Sequence, residues 1–115
     1  MKRTVKKVFI GRSTGARVIC RTAEELKPDL IINLAFPLKS LTGKSREEEL
    51  KLALDKNFEM IIIQGQKDTF GSAFDIKQAL GVRNNLEIID AGNLTHKLSG
   101  TMGEVVIECL SKKGY

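Results

Sequence analysis

An α/β fold built on a four-stranded parallel sheet is predicted by three features of this sequence. Four short apolar runs, Val5–Ile10, Leu30–Ala35, Met60–Gln64 and Leu86–Asp90, alternate with stretches of helical periodicity. The two middle runs are almost unbroken in apolar character, as strands covered on both faces are. Ser45-x-x-Glu48, Ser72-x-x-Asp75 and Thr101-x-x-Glu104 each have the spacing of a capping box at a helix start. Strands alternating with helices imply parallel pairing, and the strand order expected is 1-2-3-4.

The first strand, ending at Ile10, leads through a glycine-rich turn into a helix from Thr14 to Lys27, with Ala16, Ile19, Cys20, Ala23 and Leu26 on its apolar face. Pro28 and Asp29 stop that helix. After the second strand, Phe36-Pro37-Leu38 leaves the sheet, and Lys39 to Lys44 reads as a loop. A charged helix from Ser45 to about Lys56 then turns Leu50, Ala53 and Leu54 inward. The segment from Lys39 to Lys56 is the one candidate for a lid. The third strand runs into Gly65–Gly71, and a short helix from Ser72 ends at Gly81. The fourth strand is followed by a polar loop, Ala91 to Ser99, which holds the single histidine, His96. The last helix carries Met102, Val105, Val106, Cys109 and Leu110 as one stripe.

Composition bounds the class. A chain of 115 residues is long enough for one domain with a core, and 42% hydrophobic with 29% charged residues describes a globular chain rather than a disordered one. No apolar run approaches a membrane span. The start is basic, but the apolar run behind it, Val8 to Ile10, is too short for a signal-peptide core, so a cytoplasmic location is expected. Cys20 and Cys109 lie far apart without metal-type spacing and read as buried thiols; no metal or cofactor is expected. The net charge of +5 is concentrated near the start, where Arg12, Arg17 and Arg21 follow four lysines and arginines. That face suits solvent or an acidic partner better than nucleic acid, since the chain has one Tyr, no Trp and no nucleic-acid-binding motif.

The chemistry is concentrated in the first turn. Gly11-Arg12-Ser13-Thr14-Gly15 has the Gly-x-Ser-x-Gly spacing of a nucleophile elbow, in which a sharp strand-to-helix turn exposes a serine hydroxyl at the end of the sheet. Glycines on either side of the serine would leave room for strained backbone and close packing. The helix begins just behind the serine, so its unpaired amides favour negative charge there. Ser13, Asp68 and His96 follow the first, third and fourth strands, and ligands of open α/β sheets bind at that carboxyl edge. A serine hydroxyl needs a base to take its proton, histidine suits that role near neutral pH, and a carboxylate fixes the histidine's tautomer. Taken singly, His96 also reads as a loop residue and Asp68 as a turn residue.

The chain resembles the C-terminal half of an α/β-hydrolase, and most specifically the compact serine hydrolases related to dienelactone hydrolase. The likeness rests on the Gly11–Gly15 elbow, on Phe36-Pro37-Leu38, on Gln64-Gly65-Gln66-Lys67-Asp68-Thr69-Phe70-Gly71 and on Gly92-Asn93-Leu94-Thr95-His96. It implies a truncated α/β-hydrolase-like three-layer domain over residues 1–115, with Ser13 as nucleophile, Asp68 as acid and His96 as base. It also implies the Thr14 amide as one oxyanion donor. The second donor of such enzymes comes from an earlier strand–helix loop, and the strands that normally precede the elbow are expected to be lacking here.

Two expectations follow. Right-handed crossovers stepping in one direction place the first three helices on one face, and only the last can reach the other. A four-stranded sheet is about 20 Å wide and one helix about 10 Å, so apolar surface and an open first-strand edge call for a homodimer or a partner chain supplying the missing half. The functional expectation is a serine hydrolase acting on a small-molecule ester or thioester by an acyl-enzyme route, as an oligomer or as half of a split enzyme. The alternatives are an inactive hydrolase-fold fragment serving as a binding or assembly module, and a phosphate- or nucleic-acid-binding α/β protein.

Overall fold

The structure, a computed structural model, describes residues 7–93 and 102–112. Its elements are β1 (Val8–Arg12), α1 (Thr14–Leu26), β2 (Leu30–Leu34), α2 (Glu47–Asp55), β3 (Met60–Gln64), α3 (Ala73–Leu80), β4 (Leu86–Asp90) and α4 (Met102–Lys112). The strands form one sheet in the order β1-β2-β3-β4, and every pair is parallel. The predicted fold class and strand order are therefore those of the molecule. Among the described residues no helix is long and apolar enough to cross a membrane.

The side-chain alternation of the strands divides the interior in two. On one face Ile31, Met60 and Ile62 pack against Ala16, Cys20 and Ala23 of α1, Leu50, Ala53 and Leu54 of α2, and Ile76 and Leu80 of α3. On the other, Leu30, Ile32, Ile61 and Ile63 pack against Val106 and Leu110 of α4. Three helices share one face and the last covers the other, as right-handed crossovers in sequence order require. Truncating a buried aliphatic here to alanine would cost about 2–5 kcal/mol. Asn33 is the polar exception within β2. It is fully buried, its amide nitrogen lies 3.5 Å from Cys20 Sγ and 3.3 Å from Met60 Sδ, and Oδ1 has no donor among the described residues.

Local signals met different fates. At α3 the Ser72 hydroxyl accepts from Asp75 N and the Asp75 carboxylate accepts from Ser72 N, so that capping box forms. At α2 it does not. Ser45 is held in an antiparallel bridge with Lys39, and the Arg46 amide donates to Leu38 O at 2.6 Å. The helix starts later, at Glu47, whose amide donates to Ser45 Oγ. Closing the 39–45 loop holds Ser45 one position ahead of the N-cap, so its hydroxyl meets the Glu47 amide rather than that of Glu48. Nor is the whole of 39–56 a lid, because Leu50, Ala53 and Leu54 anchor α2 in the core and leave only the loop exposed. β1 also runs further than expected: Gly11 pairs with Asn33 and Arg12 with Leu34, so the ladder continues to the residue before Ser13.

α1 and α2 are joined by a bidentate ion pair, with Arg17 Nε 2.7 Å and Nη2 3.0 Å from the two oxygens of Glu49. The hydrogen bond from Arg17 holds the Glu49 carboxyl below its ordinary value of 4.5, and the backbone N–H of Ser72 does the same for Asp75 below 3.8. Groups with depressed folded pKa values stabilise the fold above their unfolded values, and this is lost as pH falls through the folded ones. The melting temperature is expected to hold from neutral pH to about 4.5 and to fall below it, less steeply in Glu49→Gln than in wild type. Thermal melts followed by circular dichroism across that range test this; equal slopes in the two proteins would contradict it.

Candidate active site

Ser13 and Asp68 follow the carboxyl ends of β1 and β3. The Ser13 amide donates to Leu34 O at 2.9 Å, so the chain is tied to β2 up to the serine itself. It then reverses within one residue, since α1 begins at Thr14. Ser13 takes φ 52° and ψ −116°, a conformation that L residues rarely adopt and that costs about 1–3 kcal/mol. Its carbonyl accepts from the amides of Ala16 and Arg17 at 3.0 and 3.3 Å, which closes the first helical turn. The amides of Thr14 and Gly15 precede those bonds and are, by position, the donors a helix start offers to an anion.

The two elbow glycines do different work. A Cβ at Gly11 would come within 2.7 Å of Ala16 N, 2.8 Å of Ala16 Cα and 2.7 Å of Ile19 Cδ1. The helix backbone therefore lies directly on this strand position, which only glycine allows. A Cβ at Gly15 would meet nothing within 4 Å. The close packing expected on both sides of the serine is found on one.

Asp68 follows β3 in a loop built around Gln64. The Gln64 side chain is fully buried and donates from Nε2 to Phe36 O at 2.8 Å and Gly71 O at 2.7 Å, with Asp68 Oδ2 at 3.3 Å. Its Oε1 accepts from Phe36 N at 2.9 Å. Asp68, 6% exposed, also accepts from Phe70 N through Oδ1 at 2.8 Å, an Asx turn that fixes the carboxylate. Gly71, at φ 131°, lies so close that a Cβ would be 2.8 Å from Leu38 Cβ. Phe36-Pro37-Leu38 and Gln64–Gly71, distant in sequence, thus form one assembly past the ends of β2 and β3.

His96 lies outside the described residues. The loop that leads to it departs from β4 in a defined way: Ala91 N donates to Gln64 O and Gln66 N donates to Gly92 O, each at 2.8 Å. Asp90 reinforces this, accepting from Gln66 Nε2 and Gly92 N at 2.8 Å. These bonds, the first from Gln66, hold its carboxyl below the ordinary value. The chain towards His96 therefore leaves the sheet tied to the Asp68 loop. Sequence reasoning missed Gln64 and Asp90 as organisers; the signal available for Gln64 was a lone amide ending a run of four apolar residues.

Ala35 was also missed. It follows β2, is buried with φ 54°, and donates to Ile63 O at 3.0 Å. Cys20 is no rival nucleophile, because burial pushes its thiol up to about 11. Among the described residues no three His, Cys, Asp or Glu side chains gather to hold a metal.

A family model described as an alpha/beta hydrolase domain matches residues 1–112. The chain belongs to the alpha/beta hydrolase domain family. The crystal structure of TT1662 from Thermus thermophilus is similar to this alpha/beta hydrolase domain with a TM-score of 0.63 at 18% identity, a likeness of fold. The match covers 91% of this chain and 53% of that one, so the chain spans about half the length of its structural relative. No curated protein matches the sequence.

The two glycines that flank Ser13 are expected to respond differently to substitution. Gly11→Ala is expected to destabilise by about 2 kcal/mol or more, because backbone must shift. Gly15→Ala is expected to leave stability unchanged or raise it by up to about 1 kcal/mol, since alanine favours a helix. Urea unfolding of both variants decides; equal losses would contradict the packing described.

Proposed function

We propose that the chain carries the catalytic half of a serine hydrolase acting on an ester or thioester. The observation that carries this reading is Ser13, held at φ 52° and ψ −116° on a one-residue strand-to-helix reversal ahead of α1. Strain of this kind persists only where the surroundings enforce it, and here it lifts a hydroxyl to the sheet's carboxyl edge. Asp68, buried and oriented by Phe70 N and Gln64, has the order and strand position of the acid, and His96 is assigned the base.

In this mechanism His96 takes the proton of Ser13 Oγ as the oxygen attacks the substrate carbonyl carbon. Asp68 keeps the imidazole in the required tautomer and balances its charge. The oxyanion is met by the Thr14 amide. The proton passes to the departing alcohol or thiol, leaving an acyl-serine. Water, deprotonated by His96, then attacks the acyl carbon and the serine leaves with the proton. Hydrolases of this type use a second amide from an earlier strand–helix loop, and losing one oxyanion donor costs about 100- to 1,000-fold in rate. A second chain or segment supplying that donor would complete the site.

The alternative reading is an inactive hydrolase-fold module used for binding. A fluorophosphonate probe separates the two, because it marks a serine only when a base activates it. Intact mass is expected to show one adduct on the wild type and none on Ser13→Ala. Folded wild-type protein that takes up no probe would overturn the hydrolase reading for this chain alone.

A further inference from the structure

The exposed turn between β2 and α2 is tied down at both ends and within. Leu38 is buried, Lys39 and Ser45 form an antiparallel bridge, and Lys39 N donates to Phe70 O at 2.8 Å. Inside the turn Ser40 N donates to Lys44 O at 2.8 Å, Gly43 N to Ser40 O at 2.9 Å, and Lys44 N to Ser40 Oγ at 3.1 Å. At its tip stands Leu41, 90% exposed. A lone exposed leucine is ordinary on a protein surface. This one is carried on a turn that is already ordered, so burying it costs little further conformational entropy. The bond to Phe70 sets the turn beside the loop after β3, on the side of the sheet away from β1. A segment that completed the site beside β1 would leave it free.

Positive charge flanks the tip. Lys39 and Lys44 are exposed on either side of Leu41, no acidic residue lies between Lys39 and Arg46, and Lys67 is exposed in the adjoining loop. The acids that open α2 are engaged elsewhere, Glu47 and Glu48 with Lys51 at 3.1 and 3.9 Å and Glu49 with Arg17. After the Ser72 backbone N–H, the charge of Lys39 also helps to lower the Asp75 carboxyl, which puts Lys39 near the first turn of α3. In that turn Phe74 is 66% exposed. Two exposed apolar side chains and three lysines thus share the carboxyl edge of the sheet.

We propose that this edge docks on the surface of an anionic lipid layer, with Leu41 entering the interface and Lys39, Lys44 and Lys67 meeting the headgroups. Such a layer is negative at its surface and apolar within, which matches a leucine knob ringed by lysines. The lysine stems lie along the acyl boundary while their ammonium groups stay among the headgroups. Among the described residues no helix is long and apolar enough to cross the layer, so this contact is a peripheral one. A single knob offers a protein partner little of the area a stable interface needs, whereas a fluid layer closes round it. The docking requires no base at Ser13. For the hydrolase proposed above, and resting on that reading, it would turn the Ser13 edge towards esters held in the layer.

Co-sedimentation of the full chain with vesicles tests this. The chain is expected to pellet with vesicles of equal parts phosphatidylglycerol and phosphatidylcholine, to stay in solution with phosphatidylcholine alone, and to be released by rising salt. A lysine near such a surface contributes roughly fivefold to partitioning, so the double variant Lys39→Gln, Lys44→Gln is expected to lower it about 25-fold. Leu41→Asp is expected to lower it about tenfold or more, with the circular dichroism spectrum unchanged. The chain has no tryptophan, so Leu41→Trp supplies a single reporter. Its emission is expected to move to shorter wavelength with the anionic vesicles and to be quenched by brominated lipid. A wild type that does not pellet with anionic vesicles would overturn the proposal. So would pelleting that survives Leu41→Asp while the emission of Leu41→Trp stays unmoved, the pattern expected of charge elsewhere on the chain.

Discussion

The carboxyl edge of this sheet depends on the buried amide of Gln64. An amide side chain can donate twice and accept at the same time, and Gln64 does so: to Phe36 O and Gly71 O, and from Phe36 N. No aliphatic residue in the same space could meet these groups, and each buried polar atom left unpaired costs about 1–3 kcal/mol. Through those bonds the residues that leave β2 and β3 become one layer, and Asp68 is built into it. The carbonyl of the same residue accepts from Ala91, so the exit from β4 is fixed by Gln64 as well.

Against this layer the elbow can hold its strain. Ser13 and Ala35 both sit at positive φ just past the end of a strand, and each donates its amide to the next strand, to Leu34 O and Ile63 O. The sheet ladder thus continues past its regular ends. Two residues that would otherwise relax are held where their backbone bends sharply. Gly11 completes the arrangement by letting the first turn of α1 lie on the strand. In the proposed hydrolase, preorganisation of this kind would set the Ser13 hydroxyl and the helix-start amides in place before substrate arrives.

Much of this was legible in the residues. β3 and β4 have the limits their apolar runs imply, and the helix distribution followed from crossover handedness alone. The Ser72–Asp75 box read correctly because both partners lie within one turn and nothing competes for them. The Ser45–Glu48 box failed because its serine is claimed by Lys39, across a loop whose closure depends on Leu38 and Phe70. Gln64 was hidden for the same reason: its partners are 28 and 7 residues away, and local pattern carries no trace of them. The pattern of Gly11 and Gly15 suggested equal roles, but only the folded helix shows which glycine is crowded.

In the proposed mechanism Ser13 is activated by a base oriented through Asp68. The most direct measurement is the rate of phosphonylation of Ser13 as a function of pH, in wild type and in Asp68→Asn. The proposed mechanism predicts a wild-type rate that rises to a plateau as the histidine base loses its proton, and a lower rate in Asp68→Asn. A rate that climbs with hydroxide concentration without a plateau, or one unchanged in Asp68→Asn, would contradict it.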